Sequence, residues 1–403
     1  MKNIAIIGGG AAGFFSAIRA KETNPTANVK LFEKSSKVLS KVLLTGGGRC
    51  NLTNSFLEIN SFKSVYPRGF KLMQSLFCKF DNISTYKWFE NHGVKLVTQN
   101  DNRVFPYSEN SQTIANCLIK TANTLGIKIL VNHSLEEIIN IDSKLELKFK
   151  NHQSDIFDKV IIATGGSSNP NRFIYLENLG HCVEKPIPSL FTFNITDKNL
   201  SKLMGTTVNS VILSLPTTKF RSTGSLLITH WGISGPSVLK LSSYAARYLF
   251  EKNYKFQVSI NWLAETNIQV ATSIYCNFIT ENKNKQIISA NPFGISSRLW
   301  KYLVIRACIN SFTRLQELNK KAINKLIETL TNDKYLVSSK SKWREEFVTC
   351  GGISLKDVDK NSLESKKCNG LYFAGEILDI DGVTGGFNLQ AAWTTGYIAG
   401  SSI

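Results

Sequence analysis

The chain has 403 residues, of which 42% are hydrophobic and 19% are charged. This length predicts two or three domains, because a single hydrophobic core seldom serves so long a chain. No apolar run is long enough to span a bilayer, and the first residues lack the apolar core and cleavage site of a signal peptide, so we expect a cytoplasmic protein without a membrane partner.

The charge is strongly positive, with 48 Lys and Arg against 30 Asp and Glu and a net of +18. Such an excess suits an acidic partner, nucleic acid included. The lysines are spread along the chain without an RNA-binding signature, so we do not expect a nucleic-acid partner. The eight cysteines form no CxxC pair, which predicts that they are mostly buried, reduced thiols and form no metal site.

The first motif stands at the start of the chain. Residues 2–7 predict a buried strand that runs into GGGAAG and then into the helical stretch FFSAIRAKE. These glycines satisfy GxGxxG, in which the first allows a tight turn, the second lets backbone approach a pyrophosphate, and the third lets helix and strand pack closely. The helix N-terminus then faces the phosphates with free N–H groups. The predicted contacts are Gly8, Gly10, Ala11, Ala12 and Gly13.

A second predicted strand, NVKLFEK, contains Glu33 and Lys34 at its end. An acidic residue at this position bonds both hydroxyls of the adenosine ribose and repels a 2′-phosphate. The nucleotide is therefore FAD or NAD rather than NADP. The alternative is a glycine-rich turn that holds no ligand.

The stretch KVLLTGGGRCNLTN, Lys41 to Asn54, has three consecutive glycines. It is not a phosphate-binding P-loop, because no GK[ST] follows the glycines. The residues alone leave three interpretations: a glycine loop that binds anions through its N–H groups, a setting for a reactive Cys50, and a structural loop.

Two later strand ends are also rich in glycine. KVIIATGGSS predicts a strand over 160–163 followed by Thr164 and Gly165, and GLYFAGEILDIDGVTGGFNLQ predicts a strand over 371–374 followed by Gly375 and Glu376. A nicotinamide-binding domain needs little beyond the first unit, so these additions favour FAD. The final helix, from about residue 388, would then direct its N-terminus at the flavin pyrimidine, where negative charge collects on reduction.

The middle of the chain changes character. Four stretches predict β segments: LFTFNITD, TTVNSVILSLP, STGSLLITH and KFQVSINWL. Two later stretches have the apolar spacing of helices: RLWKYLVIRACINSF and LNKKAINKLIETL. His230, in THWGISGPSVL, has two interpretations. In the first it is the catalytic residue, which orients a substrate or moves a proton; in the second it ends a strand before a turn into a helix over 237–250.

Six stretches of the chain, in their order, resemble the motifs of bacterial BaiN-like, or aminoacetone-oxidase-like, NAD(P)/FAD-dependent oxidoreductases. They are IIGGGAAG, LLTGGGRCNLTN, VIIATGG, LLITHWGISGPSVL, TCGGIS and GLYFAGEILDIDGVTGGFNLQAAWTTG. The likeness covers essentially the whole chain. More distantly, the layout resembles the flavin domains of fumarate reductase and of the tRNA-modifying enzyme GidA.

The resemblance implies an α/β fold with a discontinuous two-dinucleotide-binding, Rossmann-like FAD domain. A small β-barrel-like domain and a helical domain are inserted into it. The implied boundaries are 1–188 and 346–403 for the FAD domain, 189–265 and about 333–345 for the β-rich insert, and 266–332 for the helical insert.

The resemblance also places the glycines of the opening loop beside the FAD pyrophosphate and flavin ring. Cys50 is then expected as a neighbour of the flavin rather than as its redox partner. Besides the residues of the first two motifs, the predicted cofactor contacts are Lys41, Gly47, Gly48, Arg49, Cys50, Asn51, Ala163, Thr164, Gly165, Gly375, Glu376, Asp381, Gly385, Gly386, Phe387, Asn388, Leu389 and Gln390.

The expected activity is that of an oxidoreductase with non-covalent FAD, which moves hydride between flavin N5 and a small organic substrate. O2 or NAD(P)H is the second redox partner, and NAD(P)H would dock transiently because no second complete GxGxxG is present. One alternative is RNA modification, as in GidA, which the charge favours and the lack of that family's long C-terminal helical extension opposes. The other is a non-catalytic flavin sensor.

Overall fold

The computed structural model describes residues 1–340 and 348–403. The chain divides into two compact units: Met1–Pro188 with Val348–Ile403, and Ser189–Phe347. We call them the first and the second unit. The predicted domain edge at 346 and the part of the predicted β-rich insert at 341–345 lie outside the described residues.

Elements are numbered along the chain. The strands of the first unit are β1 (Asn3–Ile7), β2 (Asn28–Phe32), β3 (Thr53–Asn54), β4 (Leu96–Thr98), β5 (Arg103–Pro106), β6 (Lys128–Leu130), β7 (Leu135–Ile141), β8 (Lys144–Phe149), β9 (Asp155–Phe157), β10 (Lys159–Ile162), β11 (Val183–Ser189, at the boundary), β18 (Val348–Ile353) and β19 (Leu371–Phe373). Its helices are α1 (Ala11–Thr23), α2 (Ser40–Leu44), α3 (Phe62–Val65), α4 (Phe70–Phe77), α5 (Asn82–Asn91), α6 (Ser111–Thr124), α7 (Ile174–Glu177) and α14 (Phe387–Ser401).

The central sheet of the first unit is parallel, in the order β19-β10-β1-β2-β6. Ile7 at the end of β1 lies opposite Ile162 of β10 and Phe32 of β2. The apolar runs of β1 and β10 are buried, as expected for a parallel sheet covered on both faces. Because the carboxyl ends of parallel strands meet at one edge, the glycine-rich turns after β1, β10 and β19 lie together there.

Helices α1 and α14 pack against each other through small residues. A Cβ atom on Gly396 would lie 2.8 Å from the Ala12 carbonyl oxygen, and one on Gly400 would lie 2.5 Å from that of Ser16. Four residues further along α14, from Gly396 to Gly400, the facing residue is four residues further along α1, from Ala12 to Ser16. The two helices therefore run parallel. At 1.5 Å per residue, α14 therefore begins about 12 Å before α1 along their common direction.

The strands of the second unit are β12 (Phe193–Ile195), β13 (Thr207–Ser214), β14 (Arg221–Thr229), β15 (Gly232–Ser234), β16 (Phe256–Asn261) and β17 (Asp333–Lys340). They form a closed barrel in the order β12-β15-β14-β13-β16-β17. The helices are α8 (Lys198–Ser201), α9 (Pro236–Tyr244), α10 (Ala246–Glu251), α11 (Ile268–Glu281), α12 (Ser297–Arg306) and α13 (Lys320–Thr331).

The barrel and the helices of the second unit share one hydrophobic core. It includes Phe193, Ile233 and Val258 from the barrel and Trp300 and Leu326 from α12 and α13. The predicted continuous helix over 237–250 is interrupted, because α9 ends at Tyr244 and α10 begins at Ala246.

The predicted α/β fold class is confirmed by the parallel sheet of the first unit and the closed barrel and helices of the second. Among the described residues, we find no helix with the length and apolar character needed to cross a membrane.

Candidate dinucleotide-binding site

The three glycines of the first motif have different surroundings. A Cβ atom on Gly8 would overlap the Ala163 carbonyl oxygen, and one on Gly13 would overlap the Gly8 carbonyl oxygen. A Cβ atom on Gly10 would meet nothing within 4 Å among the residues that the structure describes. The packing of the protein itself therefore requires the first and the third glycine, whereas the second borders open space that a ligand can occupy.

Glu33 lies at the end of β2 with its carboxylate fixed by the chain. Its Oε2 accepts a 2.8 Å hydrogen bond from the Gly9 N–H, and its Oε1 accepts from the N–H and hydroxyl of Ser35 at 2.9 and 2.7 Å. An ionised carboxylate has about four acceptor positions. One position remains for a further donor such as a ribose hydroxyl.

A pocket of about 470 Å³ opens beside Glu33, and its lining includes Lys34, Thr164, Arg172 and Tyr175. Burial and the positive charge of Arg172 lower the pKa of Lys34. Burial also raises the pKa of the Tyr175 hydroxyl to about 12. Arg172 and Tyr175 line this pocket and were not predicted from the sequence, because no motif includes them and only the fold brings them there.

The second glycine loop has an unusual backbone. Gly46, Gly47 and Gly48 follow one another at φ of +60°, +69° and +87°. A Cβ atom on Gly46 would press against the Asn51 N–H and the Phe105 ring, each at 2.9 Å, while the other two would meet nothing within 4 Å. Left-handed backbone favours glycine at all three positions. The loop therefore presents bare backbone to open space at Gly47 and Gly48.

The three residues after this loop, Arg49, Cys50 and Asn51, are fixed by contacts with other parts of the chain. The Arg49 guanidinium lies 4.5 Å from the centre of the Phe105 ring and 3.4 Å from Glu109. Cys50 is fully buried, and burial raises the pKa of its thiol to about 12. A protonated, inaccessible thiol is a poor nucleophile. In the amide orientation that satisfies both groups, Asn51 donates to the Thr53 carbonyl at 3.2 Å and accepts from the Gly386 N–H at 3.0 Å.

Helix α14 begins at a turn that the side chains of other residues fix. Asn54 donates to the Gly385 carbonyl at 3.1 Å, and Asn388 both accepts from the Gly382 N–H and donates to its carbonyl, at 2.8 and 2.7 Å. Among the residues that the structure describes, no side chain caps the helix at Gly386 and none caps α1 at Gly10. The two helix N-termini thus point the same way, offset by about 12 Å along their common direction, and each favours negative charge.

The acidic residues near these turns have partners within the chain. Glu376 accepts from Lys41 and from the Thr349 N–H, both at 2.8 Å. Asp381 is fully buried and forms a two-point ion pair with Arg68. The predicted cofactor contacts of Glu376 and Asp381 stay predictions.

The remaining predicted residues lie on the same elements. Gln390 is buried in a network with the hydroxyls of Thr53, Thr85 and Thr394. The Gly375 N–H donates to Thr395 at 2.8 Å. Ala163, Thr164 and Gly165 follow β10, Ala11 and Ala12 begin α1, and Phe387 and Leu389 belong to the first turn of α14.

His230 belongs to the second unit, where it is exposed in the turn between β14 and β15. Its ring lies edge-on to that of Trp231 with 4.4 Å between the ring centres. The catalytic role of His230 stays a prediction. Within residues 1–340 and 348–403, no three His, Cys, Asp or Glu side chains come together as a metal site.

The parallel sheet and its open glycine turns define a Rossmann-like dinucleotide-binding protein. The chain belongs to the HI0933-like protein Rossmann domain family, whose pattern matches residues 2–402. The predicted resemblance is thereby confirmed, and the family is one of flavin-dependent oxidoreductases.

Similar proteins span nearly the whole chain. A 3-dehydro-bile acid delta(4,6)-reductase of Clostridium scindens is 26% identical over 99% of this chain and 98% of its own. A ribosomal RNA dihydrouridine synthase of Escherichia coli is 29% identical over 97% of this chain and 95% of its own. Among solved structures, the 3-ketosteroid-delta4-(5alpha)-dehydrogenase of Rhodococcus jostii has a TM-score of 0.53 at 13% identity, covering 100% of this chain and 96% of its own. That last likeness is one of fold.

Proposed function

We propose that the chain is an FAD-dependent reductase that saturates a carbon–carbon double bond conjugated to a carbonyl group. The observation that carries the cofactor assignment is the pair of parallel helices whose N-termini have no side-chain cap and are offset by about 12 Å along their common direction. The N-terminus of α1 lies at Gly10, which borders open space. FAD has two regions of negative charge, the pyrophosphate and, on reduction, the flavin pyrimidine, and the two helix ends match these in sign and order.

In this proposal, Glu33 bonds the adenosine ribose and the α1 N-terminus at Gly10 binds the pyrophosphate. The open backbone at Gly47 and Gly48 and the first turn of α14 hold the flavin. Asn51 holds the glycine loop against the N-terminal end of α14 through its hydrogen bond from the Gly386 N–H. Bound FAD supplies the hydride at N5, and NAD(P)H is the class of reductant that restores it.

The reaction class is supported by the chemistry that two relatives' names share. A 3-dehydro-delta(4,6) bile acid has a double bond conjugated to its ketone, and uridine has a double bond conjugated to its ring carbonyl. Reducing either one adds a hydride to the carbon far from the carbonyl and a proton to the carbon beside it. His230 is the candidate to deliver that proton.

The substrate we propose is a uridine in ribosomal RNA. Relatives with this activity match at 29% and 28% identity over nearly all of the chain. The positive charge supports it, because residues 189–347 contain 21 Lys and Arg against only 9 Asp and Glu. A polyanion is drawn to such a surface. A small conjugated ketone, which the 26% identical bile acid reductase favours, is the second candidate.

The test begins with the FAD-loaded protein, reduced anaerobically by NADH or NADPH. Unmodified ribosomal RNA transcribed in vitro is added to one sample and a conjugated 3-ketosteroid to another, and flavin reoxidation is followed by absorbance. We expect reoxidation by the RNA and a uridine that gains two hydrogens by mass spectrometry. Reoxidation by the steroid alone would move the substrate to the second candidate, and reoxidation by O2 alone would refute the reaction class.

A separate measurement tests the cofactor. The purified protein is titrated with FAD, and binding is followed by flavin fluorescence. Failure to bind FAD, in a sample whose circular dichroism shows a folded protein, would overturn the whole proposal.

A further inference from the structure

Two stretches of the second unit contain cations and no acid. Residues 198–250 include six Lys and Arg and no Asp or Glu, and residues 282–316 also include six and none. Elsewhere the two signs alternate more evenly, with 27 Lys and Arg against 21 Asp and Glu outside 189–347. Because no acid offsets their cations, these two stretches suit a partner of opposite charge.

The fold of the second unit joins these two stretches. The Arg298 guanidinium, at the start of α12, donates a 2.8 Å hydrogen bond to the Lys202 carbonyl oxygen just after α8. Lys198 lies one helical turn before Lys202, and Lys301 lies one turn after Arg298. All four side chains are exposed. We call Lys198, Lys202, Arg298 and Lys301 the cationic patch.

In the part of the chain that the structure describes, no carboxylate neutralises the cationic patch. Among the residues that the structure describes, none of its four members forms an ion pair. The nearest acid in sequence is Asp197, whose carboxylate accepts from the Asn199 and Leu200 N–H groups and from Arg306 at 3.2 Å. Asp197 is therefore engaged with its own helix end and with Arg306, and the four cations of the patch face solvent.

We propose that the cationic patch binds the phosphate backbone of the RNA substrate, an inference that rests on the proposed function. Phosphate contacts by Lys and Arg release condensed counterions, which provides affinity without sequence preference. Arg298 offers a planar pair of donors that suits a phosphate, and the three lysines offer point charges. The patch would fix the position of the RNA, while the choice of uridine belongs to the catalytic site.

The experiment compares two double variants of the FAD-loaded full chain. Lys202→Glu with Lys301→Glu reverses two charges of the patch. Lys87→Glu with Lys120→Glu reverses two exposed lysines on α5 and α6 of the first unit and changes the net charge equally. Binding to an unmodified ribosomal RNA transcript is measured by filter retention over a series of KCl concentrations.

We expect the patch variant to lose about tenfold or more in affinity at low salt, and its slope of log K against log salt to become shallower by about 1.5. The control should lose less than about threefold, with a nearly unchanged slope. Lys202→Arg with Lys301→Arg should retain wild-type binding, since it keeps both charges. Reduction of the flavin by NAD(P)H should be unchanged in all of them, which confirms folded, loaded protein.

The failures are distinguishable. Equal losses in the patch variant and the control would show a general charge effect and overturn the patch, while leaving RNA reduction by the wild type intact. Wild-type protein that neither binds the transcript nor reduces it would overturn the RNA substrate and the patch together.

Discussion

The two units of this protein use charge in different ways. In the first unit, carboxylates lie at the glycine turns and accept from backbone N–H groups: Glu33 from Gly9, Glu376 from Thr349 and Asp379 from Gly351. In the second unit, two stretches have cations without acids. A small anionic cofactor is bound well by a few oriented N–H groups, whereas a polyanion requires exposed cations. Most of the net charge of +18 therefore comes from the second unit.

Each unit also contains a buried Arg–Asp pair, and the two pairs differ. Asp381 is fully buried and paired with Arg68, whereas Asp333 is bonded by Arg306 at 2.6 Å, by the Trp262 indole at 3.0 Å and by the Tyr335 hydroxyl at 2.5 Å. Burial raises the pKa of Asp333 despite these partners. Asp333 can therefore take a proton more readily if its cation is lost.

The largest expected effect separates the glycines of the first motif. Gly13→Ala drives a methyl group into the Gly8 carbonyl, and we expect a loss of about 4 kcal/mol or more in unfolding free energy and little soluble protein. Gly10→Ala meets open space at φ −93°, so the FAD-free protein should keep its melting temperature within about 2 °C while FAD binds about tenfold or more weakly. Thermal unfolding and FAD titration measure the two effects, and equal destabilisation by both variants would contradict this difference.

The next prediction compares the two buried pairs. Arg68→Met removes the guanidinium that pairs with the buried Asp381 carboxylate and should lower the unfolding free energy by about 3–5 kcal/mol. Arg306→Met should lower it by about 1–3 kcal/mol, because Trp262 and Tyr335 remain as donors. Urea unfolding of both variants decides the order. A larger loss for Arg306→Met would show that the two remaining donors do not compensate.

A smaller effect concerns Cys50 and depends on pH. Burial raises the thiol pKa from 9.0 to about 12, so above pH 9 the unfolded chain loses a proton that the folded chain keeps. Stability therefore falls as pH rises, and between pH 8 and 10 the wild type should lose about 1.4 kcal/mol relative to Cys50→Ala. Denaturant unfolding at both pH values tests this. Flavin reduction by NAD(P)H should change less than about threefold in the variant, and its complete loss would restore a redox role for the thiol.

The smallest effect is expected at an exposed ion pair of the first unit. Lys41 is 63% exposed and bonds Glu376 at 2.8 Å, and Lys41→Met should change the unfolding free energy by less than about 1 kcal/mol. Lys41→Arg serves as the control that keeps the charge. A much larger loss in Lys41→Met alone would mean that Glu376 depends on this lysine for its position at the Thr349 N–H.

Local features of the sequence were predictable because the forces behind them are local. A strand over 160–163 and a final helix from about 388 were expected, and the structure has Lys159–Ile162 and Phe387–Ser401. Apolar runs and glycine turns determine such elements within a few residues. The break at Ala245 was missed, since the sequence around it keeps helical spacing and contains neither Gly nor Pro.

Long-range partners were not predictable in the same way. Arg68 and Asp381 are 313 residues apart, and the Asn51–Gly386 bond joins two loops that no motif connects. The same holds for Arg172 and Tyr175 at the pocket beside Glu33, and for Arg298 and Lys202 in the cationic patch. A single sequence records which residues are present, and the sheet order decides which of them meet.

The order of the glycine-rich strand ends and the excess of positive charge could be read from the sequence, because they follow from composition and short periodic patterns, whereas the α/β class followed from the resemblance of its motifs to a known family. Only the tertiary structure decided which glycines border open space, that the Cys50 thiol is buried, that two helix N-termini point the same way, and that two acid-free stretches meet in one patch. Each of these is a matter of which surfaces face each other, and that depends on the packing of elements far apart in the chain.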